Sequence, residues 1–423
     1  MVVRHDLHYP HGTDSFGAEN SGTSSVVDTY TGTQSPDRPG IDPLQLFGRC
    51  SIKGVPTSIT AFIGRTPDGP TDRPVLLYSF DEFERVFGGL WTESRLGFSV
   101  RDFFRNGGTT AVIARTRAGG DEQDEAKQGL VLLDQTDDVN LLVIPPFQTD
   151  DTVDPEVLRA AAAYCQRRRA ILLVDPPPAW DTMSASDIAD LFNGSGVAAA
   201  MGLVGENAAL YFPRLRQHNP LHSRVELFPP AGAVAGVIAR TDAHRGVWKS
   251  PAGADAVLVG GAELSLGLTG PEIDRLNRLG INCLRTVPGR GPIVWGSRTL
   301  ASDDMSAREW KYLAVRRTAL FLEESLARGT RWAEFEPNDA TLWKNIRREV
   351  AVFVNELFLQ GAFPGATPSE SYFVKCDEET TTQADIDRGV VNILVGFAPI
   401  RPAEFVMLRV QQVAGRITRE QAP

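Results

Sequence analysis

Residues 140–177 read "NLLVIPPFQTDDTVDPEVLRAAAAYCQRRRAILLVDPP", and this stretch decides the fold class. Residues 140–147 form a short apolar run of the kind found in a strand buried on both faces. The segment 154–169 reads as a helix with Pro155 in its first turn, where a missing N–H costs nothing. Residues 170–177 supply a second apolar strand. Strand, helix and strand in succession make a βαβ unit, which joins two parallel strands and implies an α/β domain.

The same alternation continues on both sides. Upstream, "PTSITAFIGR" (56–65) and "TTAVIART" (109–116) read as strands, and "SVRDFFRNGG" as a short helix. In "SFDEFERVFGG", Ser79 and Glu82 match a capping box and Gly88 ends the helix. Downstream, "NAALYFPRL" (207–215) adds a strand. "GPEIDRLNRLG" (270–280) has Pro271 inside its start and Gly280 past its end, as a helix requires. "INCLRTV" and "PIVWG" flank Pro288-Gly289-Arg290-Gly291, a hairpin signal. Two long helices follow. The first, 307–329, carries Trp310, Leu313, Leu320 and Leu326. The second starts after Asn338 or Asp339, repeats Leu342, Ile346, Val350, Phe353 and Leu357 on one stripe, and stops at Gly361. Two strand patterns close the chain, "GVVNILVGF" (389–397) and "AEFVMLRVQQV" (403–413), expected to pair with each other.

The chain has 423 residues, a net charge of −10, and 42% hydrophobic residues including 8% aromatics. That composition belongs to a folded protein. An acidic balance with no basic cluster argues against nucleic acid, where affinity depends on Lys and Arg displacing counterions. The densest basic run, "CQRRRA" (165–170), reads as a solvated helix end. Four cysteines with no CxxC exclude a zinc ribbon and give no support for disulfides. The opening "MVVRHDLHYPHGTD" lacks the apolar core of a secretory signal, and no window is apolar enough for a membrane helix. Residues 1 to about 48 are rich in Gly, Ser, Thr, Asp and Pro, and by themselves bury too little apolar area to offset their ordering entropy.

Candidate chemistry concentrates in "FVKCDEETTTQADIDRG" (373–389). Counted from Asp377, an EF-hand loop fails at its turn glycine and at its bidentate end; counted from Asp385 it runs into apolar residues. Asp385 and Asp387 have no neighbouring His or buried Lys to separate their pKa values for acid–base work. The alternative is a structural turn whose hydroxyls and carboxylates satisfy backbone N–H groups. His218 and His222 are interrupted by Pro220, and "GAELSLG" (261–267) has Glu263 where a nucleophile elbow needs glycine. No Gly-Lys pair exists for a phosphate loop. No catalytic, cofactor-binding or metal site emerges, and none is expected.

Longer ordered motifs are more specific. "GAVAGVIARTDAHRGVWKSPAG" (232–253), "GINCLRTVPGRG" (280–291), "GPIVWGSRTL" (291–300), "EWKYLAVRRTALFLEESLARGTRW" (309–332), "FEPNDATLWKNIRREV" (335–350) and "LFLQGAFPGATPSESYFVKCDEETTTQADIDRGVVNILVGFAPIRPAEFVMLRVQQ" (357–412) resemble the contractile phage tail sheath family. The likeness is greatest to single-chain sheaths of extracellular injection particles. It implies an α/β (α+β) chain with four parts. These are a flexible N-terminal arm (1–50), an outer variable α/β domain holding the βαβ unit (51–245), a C-terminal sheath core (246–412) and a tail (413–423).

The core would contain two long helices and a sheet completed by arms of neighbouring subunits. The resemblance also implies a non-enzymatic subunit without cofactors, assembled in a bacterial cytoplasm into stacked six-membered rings around an inner tube. Baseplate and terminator or cap proteins would be further partners, with no nucleic acid and no direct membrane insertion. Contraction would drive the tube through a target envelope.

The strand candidates for intersubunit pairing are Val391, Ile393, Val395, Phe397, Phe405, Val406, Leu408 and Val410. Lys344, Arg347, Arg348 and Glu349 are the candidates for tube or neighbour contacts. Where sheaths commonly carry a "PGVYIEE"-like donated strand, this chain has "SGTSSVVDTYTG", making Ser25–Thr31 the candidate donor. From the residues alone, the same C-terminal strands could lie inside a monomer core. Rival readings are a small-ligand α/β enzyme and a non-contractile shell or adhesin.

Overall fold

The computed structural model describes residues 52–400 apart from 118, 120, 148–151, 193–195, 204, 262 and 304–307, together with 408–413 and 416–421. The arm 1–50 and its candidate donor Ser25–Thr31 lie outside the described residues.

Eight strands form the main sheet, in the order β11-β10-β6-β5-β4-β1-β3-β2. They are β1 (Thr60–Gly64), β2 (Val75–Leu77), β3 (Ala111–Arg115), β4 (Leu141–Val143), β5 (Ile171–Val174), β6 (Ala208–Phe212), β10 (Ile281–Val287) and β11 (Gly291–Val294). A smaller sheet, in the order β8-β7-β9, contains β7 (Leu215–Asn219), β8 (Arg224–Phe228) and β9 (Glu263–Leu264). β1, β3, β4, β5, β6 and β10 run parallel, and β2 and β11 are antiparallel edges.

The helices of this region are α1 (Phe80–Phe87), α2 (Leu96–Arg105), α3 (Glu122–Leu133), α4 (Pro155–Arg168), α5 (Ala185–Asp190), α6 (Val197–Ala200), α7 (Ala231–Arg245), α8 (Gly270–Arg278) and α9 (Leu313–Gly329). The expected βαβ unit is β4-α4-β5, with Leu141 opposite Ile171 in parallel register. Its helix starts where proline punctuation placed it, with Asp154 accepting the Glu156 N–H at 2.7 Å.

Period-two alternation assigns the strand side chains to two cores. Ala61, Ile63, Val112, Ala114, Leu142, Leu172, Val174 and Leu210 pack with α3, α4 and α5 on one face. Phe62, Ala111, Ile113, Leu141, Val143, Ile171, Leu173 and Tyr211 pack with α1, α2 and α7 on the other. Both faces of each inner strand are therefore apolar, as a doubly covered parallel sheet demands. The capping box was nearly right: Ser79 accepts the Glu82 N–H at 3.2 Å, while Glu82 takes the N–H of Tyr78 rather than that of Ser79.

The helices α2 and α7 approach closely because α7 carries glycine at Gly232 and Gly236. A Cβ on either would lie 2.4 Å from the Ser99 carbonyl oxygen or 2.3 Å from that of Phe103. The sequence reading of 307–329 as one helix with a single apolar face needs correction. Residues 308–310 form a 3₁₀ turn, and the first half of α9 is buried all round. Arg317, 3% exposed at its side chain, donates to both oxygens of Asp242 at 2.9 and 2.6 Å and to the Thr57 carbonyl at 2.8 Å. Arg316 donates to Asn207 and Glu206 and lies 4.7 Å from the Trp310 ring centre. The "CQRRRA" run is likewise only partly solvated. Arg169, in the left-handed conformation at φ 54°, pairs with Glu323 and Glu324.

Asp175, just past β5, accepts the N–H of Ala231 at 2.8 Å and so caps the start of α7. Burial pushes its carboxyl up to about 7, against the Ala231 N–H and Arg214, itself paired with Asp181, which pull it down. The folded value lies above the unfolded one, so this carboxyl stabilises the fold at low pH and that contribution fades as pH rises through about 7. Between pH 5 and 8 the loss should be on the order of 2 kcal/mol, allowing for the partial exposure of the residue. Asp175→Asn should flatten that part of the pH profile of urea midpoints. Equal slopes for the two proteins would refute the assignment.

The chain divides into two compact units. Among described residues, one comprises 54–324, 361–364, 399–400, 408–413 and 416–421; the other comprises 52–53, 325–360 and 365–398. The expected boundary at 245/246 lies inside the larger unit, because α8 returns the chain to β10, which pairs parallel with β6. The change of unit falls instead within α9. The smaller unit contains α10 (Ala340–Leu359), α11 (Pro368–Ser371), β12 (Tyr372–Lys375), α12 (Gln383–Asp387) and β13 (Leu394–Phe397). Asp339 caps α10 by accepting the Thr341 and Leu342 N–H groups, and the expected stripe is buried from Leu342 to Leu357. The remaining strands, β14 (Leu408–Val413) and β15 (Arg416–Gln421), pair antiparallel with each other.

Candidate subunit interface

The final strands do not pair as the sequence suggested. β13 pairs antiparallel with β12, Phe373 opposite Gly396, and β14 turns back onto β15. Of the expected strand 389–397 only Leu394–Phe397 is extended in a ladder. β15 begins two residues beyond β14 and takes it as partner, and β13 pairs back across the segment 376–393 with β12.

That segment opens with "CDEETTTQADIDRG", and it is held by its own side chains. Thr382 accepts the Asp385 N–H while Asp385 accepts the Thr382 N–H, a complete capping box for α12. Asp377 accepts the Glu379 N–H, Thr380 donates to the Asn392 carbonyl, and Thr381 accepts the Asn392 N–H. The Thr382 hydroxyl most of all, then the Thr382 N–H and Arg388, hold Asp385 down to about 2. Asp377 and Asp385 serve the backbone, and no group of three or more potential metal ligands occurs among the described residues.

β12 and β13 form a two-stranded sheet, so among the described residues each strand has one unpaired edge. Such a pair is marginal alone and invites added strands. Its support is α10: Tyr372 donates to Asn355 at 3.0 Å, and the rings of Tyr372 and Phe358 lie 6.3 Å apart. Phe373, 43% exposed, lies across Gly396, where any Cβ would stand 2.1 Å from the ring. Between α10 and β12 runs a cleft of about 520 Å³ lined by Lys344, Arg347, Arg348, Ala351, Tyr372, Phe373 and Val374, with Pro368 and Ser369 at one end.

The structure thus gathers Lys344, Arg347 and Arg348 on one exposed helix face beside an open strand edge. Arg347 lies 3.8 Å from Asp377. Glu349 is separate: it is half-buried, accepts the Trp332 indole N–H at 3.1 Å, and has its pKa raised mainly by burial. Val391, Ile393 and Val395 are buried within the smaller unit, and Phe397 is half-buried. Phe405 and Val406 lie outside the described residues, and Leu408 and Val410 are placed only as backbone of β14. Sequence reasoning missed β12, whose four residues precede a polar turn and carry no long alternation.

Two family models match the chain one after the other. Residues 124–300 match the phage tail sheath protein central domain, and residues 306–413 match the phage tail sheath C-terminal domain. The chain belongs to the phage tail sheath family. It is a structural sheath subunit of a phage-tail-like contractile system.

Among its relatives, a prophage major tail sheath protein of Pseudomonas aeruginosa strain UCBPP-PA14 is 25% identical over 309 residues, 71% of this chain and 72% of that one. The tail sheath protein of Enterobacteria phage T4 is 28% identical over 232 residues, but those cover only 32% of its length. Two solved sheaths are similar throughout. The helical sheath of the anti-feeding prophage in its contracted state is 27% identical with a TM-score of 0.72, over 92% of this chain and 100% of that one. The sheath of the extracellular contractile injection system PVC, also contracted, is 26% identical with a TM-score of 0.71, over 92% and 99%.

Proposed function

We propose that this sheath subunit polymerises with copies of itself into stacked six-membered rings around an inner tube, and that shortening of the stack drives the tube through a target envelope. One observation carries the reading most: helical sheaths solved in the contracted state align with nearly the whole of this chain. An anti-feeding prophage baseplate chain is equally similar, with a TM-score of 0.70, which supports a baseplate partner. The sheath relatives are structural proteins, which supports a non-enzymatic role. No helix among the described residues is long and apolar enough to cross a membrane. Assembly would take place in a bacterial cytoplasm, with terminator or cap proteins completing the particle.

The unpaired edges of β12 and β13 are the receiving surface in this reading. A strand donated by a neighbour would gain main-chain hydrogen bonds without rearranging the subunit core. The exposed Lys344, Arg347 and Arg348 would select an acidic partner, from the tube or from the next copy. Contraction would then be a switch between two packings of rigid subunits joined by flexible connections.

Deletion of residues 403–423 should abolish polymerisation and leave a folded subunit. Negative-stain microscopy of the protein co-expressed with its tube protein checks this: intact protein should give tubes or stacked rings, and the truncated protein dispersed particles. Tubes from the truncated protein would defeat the strand-donation reading.

A further inference from the structure

A subunit that has not yet met its neighbours must keep the cleft between α10 and β12 from indiscriminate pairing. The cleft sets Lys344, Arg347 and Arg348 against Tyr372, Phe373 and Val374, and Asp377 offsets part of the charge of Arg347 from 3.8 Å. An open strand edge beside a half-exposed phenyl ring is a template for any passing strand, and stable proteins cover or blunt such edges.

The two ends of the chain differ in how well they suit this cleft. Residues 401–423 carry four arginines and two glutamates, and part of that segment is already paired as β14 and β15. Residues 1–50 carry six acidic residues and three arginines, and so complement the three cations. Within them, "SVVDTYT" (25–31) is rich in β-branched and aromatic residues and has Asp28 at its centre.

Reach favours the same segment. Ile52, at the root of the arm, is 5% exposed and fills the notch at Gly329, where a Cβ would stand 2.6 Å from its Cγ2. Three residues on, Trp332 donates to Glu349 of α10 at 3.1 Å. Three residues of chain span at most about 10 Å and a helix with its side chains is about 10–12 Å across, so the root lies on the order of 25 Å or less from the cleft. A coil of twenty residues, the length from 32 to 51, has a root-mean-square span of about 25 Å. A tether matched to its distance gives the highest effective concentration, on the order of millimolar, well above that of free subunits at micromolar levels.

We propose that before assembly residues 25–31 of the subunit's own arm lie along the free edge of β12, with Asp28 against Lys344 and Arg347, so that the subunit covers its receiving surface until a neighbour's strand takes that place. This rests on the strand-donation reading above and adds its regulation. Exchanging one arm for an identical one leaves the ladder's bonds nearly unchanged, so contacts elsewhere in the lattice set the direction. Once rings stack, a neighbour's arm is presented at a comparable local concentration and the tether loses its advantage.

Fluorescence anisotropy tests this with a labelled peptide of residues 20–35, titrated with full-length protein dilute enough to sediment as single subunits. The parent should bind the peptide weakly, its edge being covered. A full-length variant with Val26→Pro and Val27→Pro loses a ladder N–H whichever of the two faces the edge, and should bind at least tenfold more tightly. Adding Lys344→Glu and Arg347→Glu should weaken that binding at least tenfold, and a peptide with Asp28→Lys should restore it. Should the proline variant misfold by circular dichroism, Asp28→Lys in the full-length chain opens the edge by charge instead. Equal binding to parent and opened variant would overturn self-coverage and leave strand donation standing. Binding to neither would overturn both. Tighter binding that survives the charge reversal would place the peptide elsewhere and overturn the assignment to this cleft.

Discussion

Arg317→Ala should lower the unfolding free energy of the larger unit by on the order of 3–5 kcal/mol, seen as a fall in urea midpoint at unchanged slope. The reason is what remains behind. Asp242 is 4% exposed at its side chain and takes both guanidinium nitrogens, its other donor being the Thr57 hydroxyl at 2.6 Å. Removing the arginine strands a carboxylate away from water and also releases the Thr57 carbonyl. Replacing both ends, as in Arg317→Met with Asp242→Leu, should recover most of the loss, because a buried ion pair adds little over well-packed apolar groups of similar size. Arg317→Lys should recover less, since one ammonium cannot reproduce the planar fork that meets both carboxylate oxygens and a carbonyl. A single alanine variant within about 0.5 kcal/mol of the parent would mean that the site admits water and the burial argument fails.

Gly236→Val in α7 should cost about 3 kcal/mol or more, and Gly236→Ala a smaller amount of the same sign. The sign is the informative part. In the interior of an isolated helix, glycine to alanine gains about 1 kcal/mol through backbone entropy. Here the new Cβ would stand 2.3 Å from the Phe103 carbonyl oxygen and 2.7 Å from the Asn106 side chain, so α2 and α7 must separate. Asn106 is itself tied down, accepting the Val259 N–H at 2.8 Å and donating to the Asp102 carbonyl. Thermal melts that show Gly236→Ala stabilised would indicate that the helices part freely and that the close approach is not a constraint.

Much of this fold could be read from the residues because the deciding signals were local. The βαβ unit, the stripe on α10, the β10–β11 hairpin and the helix ends at Ser79, Asp154 and Asp339 depend on residues a few positions apart. What escaped depends on distant ones. Arg316 and Arg317 look like a polar helix face until Asn207 and Asp242 are brought to them from about 75 to 110 positions earlier in the chain. The boundary at 245/246 followed a change in sequence texture, but sheet membership is set by where α8 delivers β10. The final strands showed their extended character yet not their partners, because β12 and β15, with which they pair, were not read as strands. The charged trio of α10 was legible as exposed; Glu349 was not separable from it until Trp332 arrived to bind its carboxylate.

The first strand among the described residues is an inner strand of the main sheet. β1 lies between β3 and β4, bonded along five residue pairs on one side and three on the other, both neighbours running parallel to it. A tug applied to the residues ahead of Thr60, along the strand axis, therefore cannot unzip the ladder one rung at a time from a border. It must slide the whole strand against two flanks at once, sharing the load among all rungs simultaneously. A tether leaving the molecule at that end is rooted where the sheet resists shear best, which suits a building block hauled by its neighbours.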